Sequence, residues 1–164
     1  MRHEWLLSVA AQTEGLGAAL GRTCPWDLAG PRLLWLSGEL GSGKTTLAAA
    51  LLQAVGATDT VRSPSYALVE TYALPAGLAV HVDCYRLADP GELEQLGLRD
   101  YFVPETLLLI EWSERAGASW PKPDLSLRLE FAAAGRSAAL TAHTAAGEAW
   151  LGRLEKLLPS QTSI

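Results

Sequence analysis

The feature that most constrains the fold is a glycine-rich segment at residues 38–45, which lies between a strand-like run and a helix-like run. The residues that satisfy the pattern G-x-x-x-x-G-K-[ST] are Gly38, Gly43, Lys44 and Thr45. Residues 33–36 before it are all apolar, as in a strand buried on both faces of a sheet. Residues 45–55 after it are rich in alanine and leucine, and Gly56 is a suitable helix end. This order of strand, loop and helix is the one that a phosphate-binding loop requires, and it predicts an α/β fold.

A loop of this kind binds phosphate mainly through its backbone. Glycines allow the amide N–H groups to turn inward, and the positive end of the following helix offsets phosphate charge. Lys44 is expected to reach the β- and γ-phosphate oxygens as a catalytic cation, and the Thr45 hydroxyl is expected to bind Mg²⁺. The loop residues predicted to contact the nucleotide are Glu39, Leu40, Gly41, Ser42, Gly43, Lys44, Thr45 and Thr46.

Two carboxylates that follow apolar, strand-like runs are candidates for the metal site. Asp83 ends the run 79–83, and Glu111 ends the run 107–111. In open α/β sheets the ligand crevice lies beyond the carboxyl ends of the strands, so both acids could face the metal. Either could also be an ordinary surface carboxylate. The sequence leaves open which acid binds the metal and which prepares the attacking water.

Three further segments have helical patterns, at residues 8–22, 89–97 and 148–158. The first places Val9 on an apolar face, although Gly17 and two other glycines weaken the pattern. The second has clear boundary signals, because Asp89 can cap it, Glu92 can reach back and Gly97 can end it. Helices are therefore expected at intervals along the whole chain.

Strand patterns alternate with these helices. The predicted strands are residues 66–72, 78–83, 106–111, 125–131 and 136–143. The turn at 74–77 predicts an antiparallel hairpin, and a second pair is expected to meet around Gly135. Together these patterns predict an α/β fold with helices on both faces of a mixed parallel and antiparallel sheet. We expect one domain over residues 1–158 and a frayed tail over 159–164.

Composition narrows the classes of function. The chain has 164 residues and a net charge of −5, whereas a protein that binds nucleic-acid backbone alone is expected to carry a basic face. We therefore expect no DNA binding, and contact with RNA only through a partner. Cys24 and Cys84 lack metal-type spacing and are interpreted as small buried residues in a reducing compartment. No apolar run approaches the about 18 residues of a membrane helix, so we expect a soluble, cytoplasmic protein without a membrane partner.

Other residues carry weaker signals. Residues 63–66 follow the loop helix at a distance that suits a nucleotide-sensing switch, but a plain proline turn is an equal alternative. Trp112 is either exposed for a partner or covers the sheet edge. Arg86 and Arg136 could neutralise phosphate or could be solvated surface residues. His81 is interpreted as a core or rim histidine.

Several motifs occur in order along the chain: GELGSGKTT at 38–46, SPSY at 63–66, HVDCYRL at 81–87 and IEW at 110–112. Together they resemble the TsaE family, the bacterial ATPase of tRNA threonylcarbamoyladenosine biosynthesis, over residues 9–143. The resemblance implies a three-layer fold of the P-loop NTPase type and ATP rather than GTP. It also implies a complex with the TsaB and TsaD proteins, in which ATP hydrolysis resets the machinery and tRNA is met only indirectly.

The resemblance also implies roles for single residues. Lys44 and Thr45 match the positions that serve phosphate and magnesium. Glu111 matches the metal-site glutamate, and Asp83 matches an essential strand-end aspartate. Arg136 matches a residue near the nucleotide. Positions matched to a switch-like segment or to aromatics tied to activity or assembly are 63–66, Tyr85 and Trp112.

The predicted function is an ATP hydrolase that is weak alone and stimulated by its partners. A small-molecule kinase is an alternative, but the remaining chain offers no candidate for a second substrate site or lid. A nucleotide-sensing adaptor with negligible hydrolysis is another, against which Asp83 and Glu111 argue without excluding it. A GTPase is disfavoured because the sequence has no Asn-Lys-x-Asp segment to bind guanine.

Overall fold

The computed structural model describes residues 1–64, 68–118 and 120–159, together with the backbone of residues 162 and 163. In chain order its strands and α-helices are β1 (Arg2–Leu7), α1 (Ala10–Arg22), β2 (Arg32–Ser37), α2 (Lys44–Ala54), β3 (Val69–Leu74), β4 (Gly77–Asp83), α3 (Gly91–Gln95), β5 (Thr106–Glu111), β6 (Leu125–Ala132), β7 (Gly135–Ala142), α4 (Ala145–Leu157) and β8 (Thr162–Ser163). Short 3-10 helices at Leu98–Tyr101 and Ser113–Arg115 lie on either side of β5. None of the helices in the described part of the chain has the length and hydropathy that a membrane span needs.

The strands of the described residues form one mixed sheet in the order β3-β4-β5-β2-β6-β7-β1-β8. The central strands β4, β5, β2 and β6 are parallel, and the outer pairs are antiparallel. The hairpin predicted around 74–77 is confirmed as β3 and β4, and the second pair is confirmed as β6 and β7. The predicted mixed sheet is therefore confirmed, and the carboxyl ends of its parallel strands meet at one edge.

The central strands are buried on both faces of the sheet. Leu34 and Leu36 of β2 pack into a core beneath α1, α2 and α4, whereas Leu33 packs into a second core on the opposite face. In β5, Leu109 belongs to the first core and Ile110 to the second, which includes side chains of α3. This double burial explains the continuous apolar sequence of both strands. It also confirms the three-layer arrangement, with a helical layer on each face of the sheet.

Helix α1 packs closely against α2, and this contact explains why Gly17 lies within a helix although glycine is a poor helix former. A Cβ atom at Gly17 would overlap the carbonyl oxygen of Leu47, so glycine allows the two helices to approach. Leu16 and Leu20 of α1 are buried, as expected from their spacing. Val9, in contrast, precedes the helix with an extended backbone and is 58% exposed. Its assignment to the apolar face was wrong because the helix begins one residue later.

Helix α3 is shorter than the pattern at 89–97 and has Pro90 rather than Asp89 as its N-cap, but the side chains of Asp89 and Glu92 do bond backbone N–H groups at its start. The Asp89 Oδ1 accepts the N–H of Gly91 at 2.7 Å, and the Glu92 Oε1 accepts the N–H of Asp89 at 3.2 Å. Gly97 separates α3 from the following 3-10 helix with a φ of +67°.

Both ends of the chain differ from the sequence analysis. The strand β1 has no counterpart among the predicted strands, although buried and more exposed residues alternate along it. The strand β8 lies inside the segment 159–164 for which the sequence predicts a frayed tail, and it pairs with His3 and Glu4 of β1. The strand β3 begins at Val69, and the first two residues of the strand predicted at 66–72 lie outside the described residues.

Candidate functional site

The glycine-rich loop connects the carboxyl end of β2 to the start of α2, as the sequence predicts. Gly38 and Gly43 have φ values of +136° and +108°, in the region that favours glycine. A Cβ atom at Gly38 would overlap the carbonyl oxygen of Leu129 in β6, so the loop can lie against this strand only with glycine there. Leu40 is 70% exposed at the tip of the loop, while the buried Ser42 Oγ has no hydrogen-bond partner among the described residues.

Lys44 is the first residue of α2, and its ammonium group lies inside the curve of the loop. Its Nζ donates to the carbonyl oxygens of Gly38 at 2.7 Å and Glu39 at 3.0 Å. The same Nζ lies 4.1 Å from the centroid of the Trp112 ring. Burial lowers the pKa of Lys44, and the negative charges nearby, Glu111 foremost, oppose this shift. The cation is thus held by carbonyl oxygens of the loop itself, beside the Trp112 ring.

Thr45, the next residue of α2, contacts the acid that ends β5. Its Oγ1 donates to the Glu111 carboxylate, at 3.0 Å from Oε2 and 3.2 Å from Oε1. The Glu111 Oε1 also lies 2.7 Å from the Nε2 of His81 in β4. Both His81 and Glu111 are almost fully buried. A helix hydroxyl, a carboxylate and an imidazole therefore meet at the end of β5.

Asp83 ends β4 and lies directly opposite Glu111 in the register of the parallel pair β4 and β5. Its Oδ2 accepts the Ser63 hydroxyl at 3.0 Å, and its Oδ1 accepts the backbone N–H of Tyr85 at 2.9 Å. The first residue of the predicted switch segment 63–66 thus contacts one of the candidate acids, whereas Ser65 and Tyr66 lie outside the described residues.

Two aromatic side chains cover the same edge of the sheet. The rings of Tyr85 and Trp112 lie 4.9 Å apart between centroids. The Arg115 guanidinium lies 5.3 Å from the Tyr85 ring and 5.5 Å from the Trp112 ring, and it donates to the Tyr85 carbonyl oxygen at 2.6 Å. The Trp112 ring is therefore close to both the Lys44 ammonium and the Arg115 guanidinium, and it lines the site.

These groups surround a cleft of about 300 Å³. Its lining consists of Leu40, Gly41, Gly43, Lys44, Thr45, Thr46, Ser63, Asp83, Tyr85, Arg86, Glu111 and Trp112. The structure thus brings together the predicted catalytic residues Lys44, Asp83 and Glu111 with Thr45. Glu39 is not among them, because its side chain is exposed and borders a separate cavity beside Phe131.

Arg136 lies on the other side of the loop, away from the two acids. Its Nε donates to the Ser42 carbonyl oxygen at 3.2 Å, and its Nη2 donates to the Gly41 carbonyl oxygen at 3.3 Å. It borders a second cleft of about 210 Å³, which also includes Thr13 of α1 and Thr46. Apart from Glu39, the predicted site residues are therefore divided between two clefts that share the glycine-rich loop.

Sequence reasoning missed two contributors to the site. His81 is fully buried, as its interpretation as a core histidine expects, but its bond to the candidate metal ligand Glu111 was not predicted. The alternation of His81 and Asp83 in β4 is a usable signal, because residues two apart in a strand lie on one face. Arg115 was not singled out, and its position in a 3-10 helix after β5 leaves no periodic signal to find it.

Comparison with known proteins agrees with this architecture. A family model described as "Threonylcarbamoyl adenosine biosynthesis protein TsaE" matches residues 7–138. A Haemophilus influenzae protein named "tRNA threonylcarbamoyladenosine biosynthesis protein TsaE" is 42% identical over 116 residues, which are 71% of this chain and 73% of that protein. A Streptomyces coelicolor protein of the same name is 36% identical over 137 residues, covering 80% of this chain and 91% of the relative.

A solved structure shows the same fold. The crystal structure of Bacillus subtilis YdiB superposes with a TM-score of 0.79 at 22% sequence identity, and the match covers 96% of each chain. At that identity the similarity supports the fold alone. Because the family model and the sequence relatives match most of the chain, the chain belongs to the TsaE family.

Proposed function

We propose that this chain binds Mg-ATP in the cleft and hydrolyses it in support of threonylcarbamoyladenosine synthesis in tRNA, together with TsaB and TsaD. The observation that carries the proposal is the convergence of four groups on one cleft. The Lys44 ammonium, the Thr45 hydroxyl and the carboxylates of Asp83 and Glu111 all line it. A cation, a hydroxyl and two acids beside a glycine-rich loop are the parts that phosphoryl transfer uses.

The residues present fit a magnesium ion. Mg²⁺ prefers hard oxygen ligands and usually binds through one or two protein groups together with substrate phosphates. Thr45 and Glu111 supply a hydroxyl and a carboxylate that already lie within hydrogen-bond distance of each other. These two residues would hold the ion, which would neutralise negative charge on the phosphates during transfer.

The loop and Lys44 would bind the phosphates. The backbone amides of residues 39–46 precede and begin α2, where the helix N-terminus adds a positive field. Lys44 would exchange its bonds to the carbonyl oxygens of Gly38 and Glu39 for phosphate oxygens. The cleft beside Arg136 lies on the other side of the same loop and is our candidate for the base and ribose.

The two acids would divide the remaining work. Because Glu111 is bonded to Thr45, we assign Glu111 to the metal side. Asp83 lines the same cleft, but its hydrogen bonds go to Ser63 and Tyr85 rather than to Thr45. We therefore assign Asp83 to orienting the attacking water. The assignment separates two roles that the sequence alone leaves open.

The place of this ATPase in tRNA modification is proposed from its family. The relatives are named for tRNA threonylcarbamoyladenosine biosynthesis. The net charge of −5 disfavours independent binding of tRNA, which supports contact with tRNA through partner proteins. TsaB and TsaD are the partners that we propose.

The test is phosphate release from ATP with and without purified TsaB and TsaD. We expect slow release by the chain alone and a marked increase when both partners are present. Lys44→Ala should abolish the increase, since it removes the cation of the loop. Lys156→Ala is the matched control, because Lys156 is an exposed residue at the far end of α4.

Other outcomes would contradict the proposal. A rate that neither partners nor Lys44→Ala change would favour an adaptor that senses the nucleotide without meaningful hydrolysis. Transfer of label from the γ-phosphate to a small metabolite would identify a kinase instead.

A further inference from the structure

The buried contact between His81 and Glu111 is not explained by packing alone. The Nε2 of His81 lies 2.7 Å from the Glu111 Oε1, and the two side chains are 0% and 2% exposed. The other ring nitrogen, Nδ1, is buried and has no partner among the described residues. A polar ring placed in a core without satisfying both nitrogens costs stability. Its position is therefore better explained by the one bond that it makes.

The sheet brings these two side chains together. His81 pairs with Leu109 and Asp83 pairs with Glu111 in the parallel ladder of β4 and β5. Because side chains alternate between faces, all four residues lie on the face that packs against α2. The imidazole thus lies behind Glu111, on the side away from the open cleft, while Thr45 approaches from the helix.

The proposed magnesium site also implies which nitrogen of His81 carries a proton. A carboxylate that binds a metal ion is ionised and only accepts hydrogen bonds, so in the proposed site the Thr45 hydroxyl and the His81 Nε2 would both donate to Glu111. A second proton on the buried Nδ1 would have no acceptor among the described residues. The contact therefore fits an imidazole whose proton is on Nε2.

We propose that His81 is a positioning residue that holds the Glu111 carboxylate against the Thr45 hydroxyl. The inference rests on the proposed binding of Mg-ATP, because it assigns His81 to the support of the magnesium ligands. Two donors from different elements, β4 and α2, fix the plane of the carboxylate. Without the imidazole, Oε1 would lose its shortest and most deeply buried hydrogen bond, and the carboxylate could turn away from Thr45.

The test compares ATP affinity with magnesium and with EDTA, measured by calorimetry on the full chain. We call the affinity for ATP in magnesium divided by the affinity in EDTA the magnesium gain. Groups that support metal ligands change metal affinity by about 10- to 100-fold when removed, so His81→Leu should lower the gain by at least about tenfold. Metal-free affinity should change by less than about twofold, since the loop and Lys44 are untouched.

A conservative variant separates positioning from packing. Glutamine can place an N–H near the position of Nε2, so His81→Gln should recover the gain to within about threefold of wild type. His143→Leu is the matched control, because His143 bonds Ser126 outside the cleft. A folded His81→Leu protein with an unchanged gain would overturn the role of His81.

A spectrum of the nucleotide-free protein tests the contact directly and does not require His81→Leu to fold. Long-range ¹H–¹⁵N correlation spectra should show a protonated Nε2 for His81, assigned by its absence in His81→Gln. A bare Nε2 would overturn the proposal. A wild-type protein that has the expected spectrum but shows no magnesium gain would instead overturn the proposed function, and the positioning role with it.

Discussion

The ends of β4 and β5 present the same kind of side chain at the same level of the sheet. Asp83 and Glu111 are paired in register, and they are 4% and 1% exposed. Glu111 is held by the half-buried hydroxyl of Thr45 in α2 and by the fully buried imidazole of His81. It is therefore fixed to the helix that follows the glycine-rich loop.

The end of β4 is held by less regular parts of the chain. Asp83 accepts a hydroxyl from Ser63, before β3, and a backbone N–H from Tyr85, after β4. Movement of either segment would reach Asp83 directly, whereas the partners of Glu111 belong to a helix and to a central strand of the sheet. Two equivalent backbone positions thus acquire different properties from their partners, which is why we assign Glu111 to the metal and Asp83 to the water.

The largest effect is expected from Asp83→Asn. Asparagine keeps the shape: its one oxygen can accept the Tyr85 N–H and its amide can donate to the Ser63 hydroxyl oxygen. It lacks the charge that we assign to orienting and deprotonating the attacking water. The kcat for ATP hydrolysis with TsaB and TsaD should fall by about 10²- to 10⁴-fold, while the Kd for Mg-ATP should stay within about threefold. Steady-state kinetics and calorimetry measure the two quantities. A loss of Mg-ATP binding as large as the loss of kcat would contradict the separation of roles.

Glu111→Gln, in contrast to Asp83→Asn, should weaken the binding of Mg-ATP. Loss of the carboxylate charge should reduce the magnesium gain in ATP affinity at least as much as loss of a group that supports a metal ligand, by about 10- to 100-fold. Metal-free affinity should not fall, because the substitution removes a negative charge close to Lys44. Calorimetry in magnesium and in EDTA measures both, and Asp83→Asn is the matched comparison. If the two variants gave the same magnesium gain, the acids would not differ as their contacts indicate.

A smaller effect is expected from Ser63→Ala, which removes one hydrogen bond to Asp83. A single hydrogen bond of this kind corresponds to roughly a three- to tenfold change, and we expect it in kcat rather than in the Kd for Mg-ATP. Ser126→Ala removes a hydroxyl bonded to His143 outside the cleft and is the control. An equal loss of kcat in both variants would show a general effect on stability instead.

The smallest effect is expected at Cys84, which directly follows Asp83. Burial, together with the charges of Asp83 and Glu114, raises the pKa of this thiol from 9.0 to about 12. Because the unfolded chain loses the proton first, this group lowers stability as the pH rises from 9 towards 12.

In a Cys24→Ser background, Cys84 should stay unreactive towards a disulfide reagent at pH 8, with or without Asp83→Asn. Rapid reaction in the folded protein would show that the end of β4 opens more readily than its contacts indicate.

Local patterns were sufficient to predict the centre of the fold. Residues 33–36, 38–45 and 106–111 encode a buried strand, a glycine-rich loop and a second buried strand, and each appears in the structure where it was expected. Such patterns depend on neighbours along the chain. They also gave the positions of both acids, because a strand end can be recognised without knowing the strand's partner.

Contacts between distant segments could not be predicted in this way. The pairing of β1 with β7 and the bonds of Arg136 to the carbonyl oxygens of Gly41 and Ser42 join residues far apart in sequence. The bond between His81 and Glu111 depends on β4 and β5 being adjacent and parallel, which the sequence suggests only in general terms. The local pattern therefore identified the groups of the site, and the sheet order decided which of them meet.

Direct titration of the wild-type chain with ATP in the presence of magnesium tests the central claim, that the loop, Lys44, Thr45 and Glu111 form one Mg-ATP site. Calorimetry should register saturable binding of one nucleotide per chain, weakened by EDTA and greatly weakened by Lys44→Ala. An absence of binding heat, confirmed by an absence of nucleotide retention in equilibrium dialysis, would contradict the account.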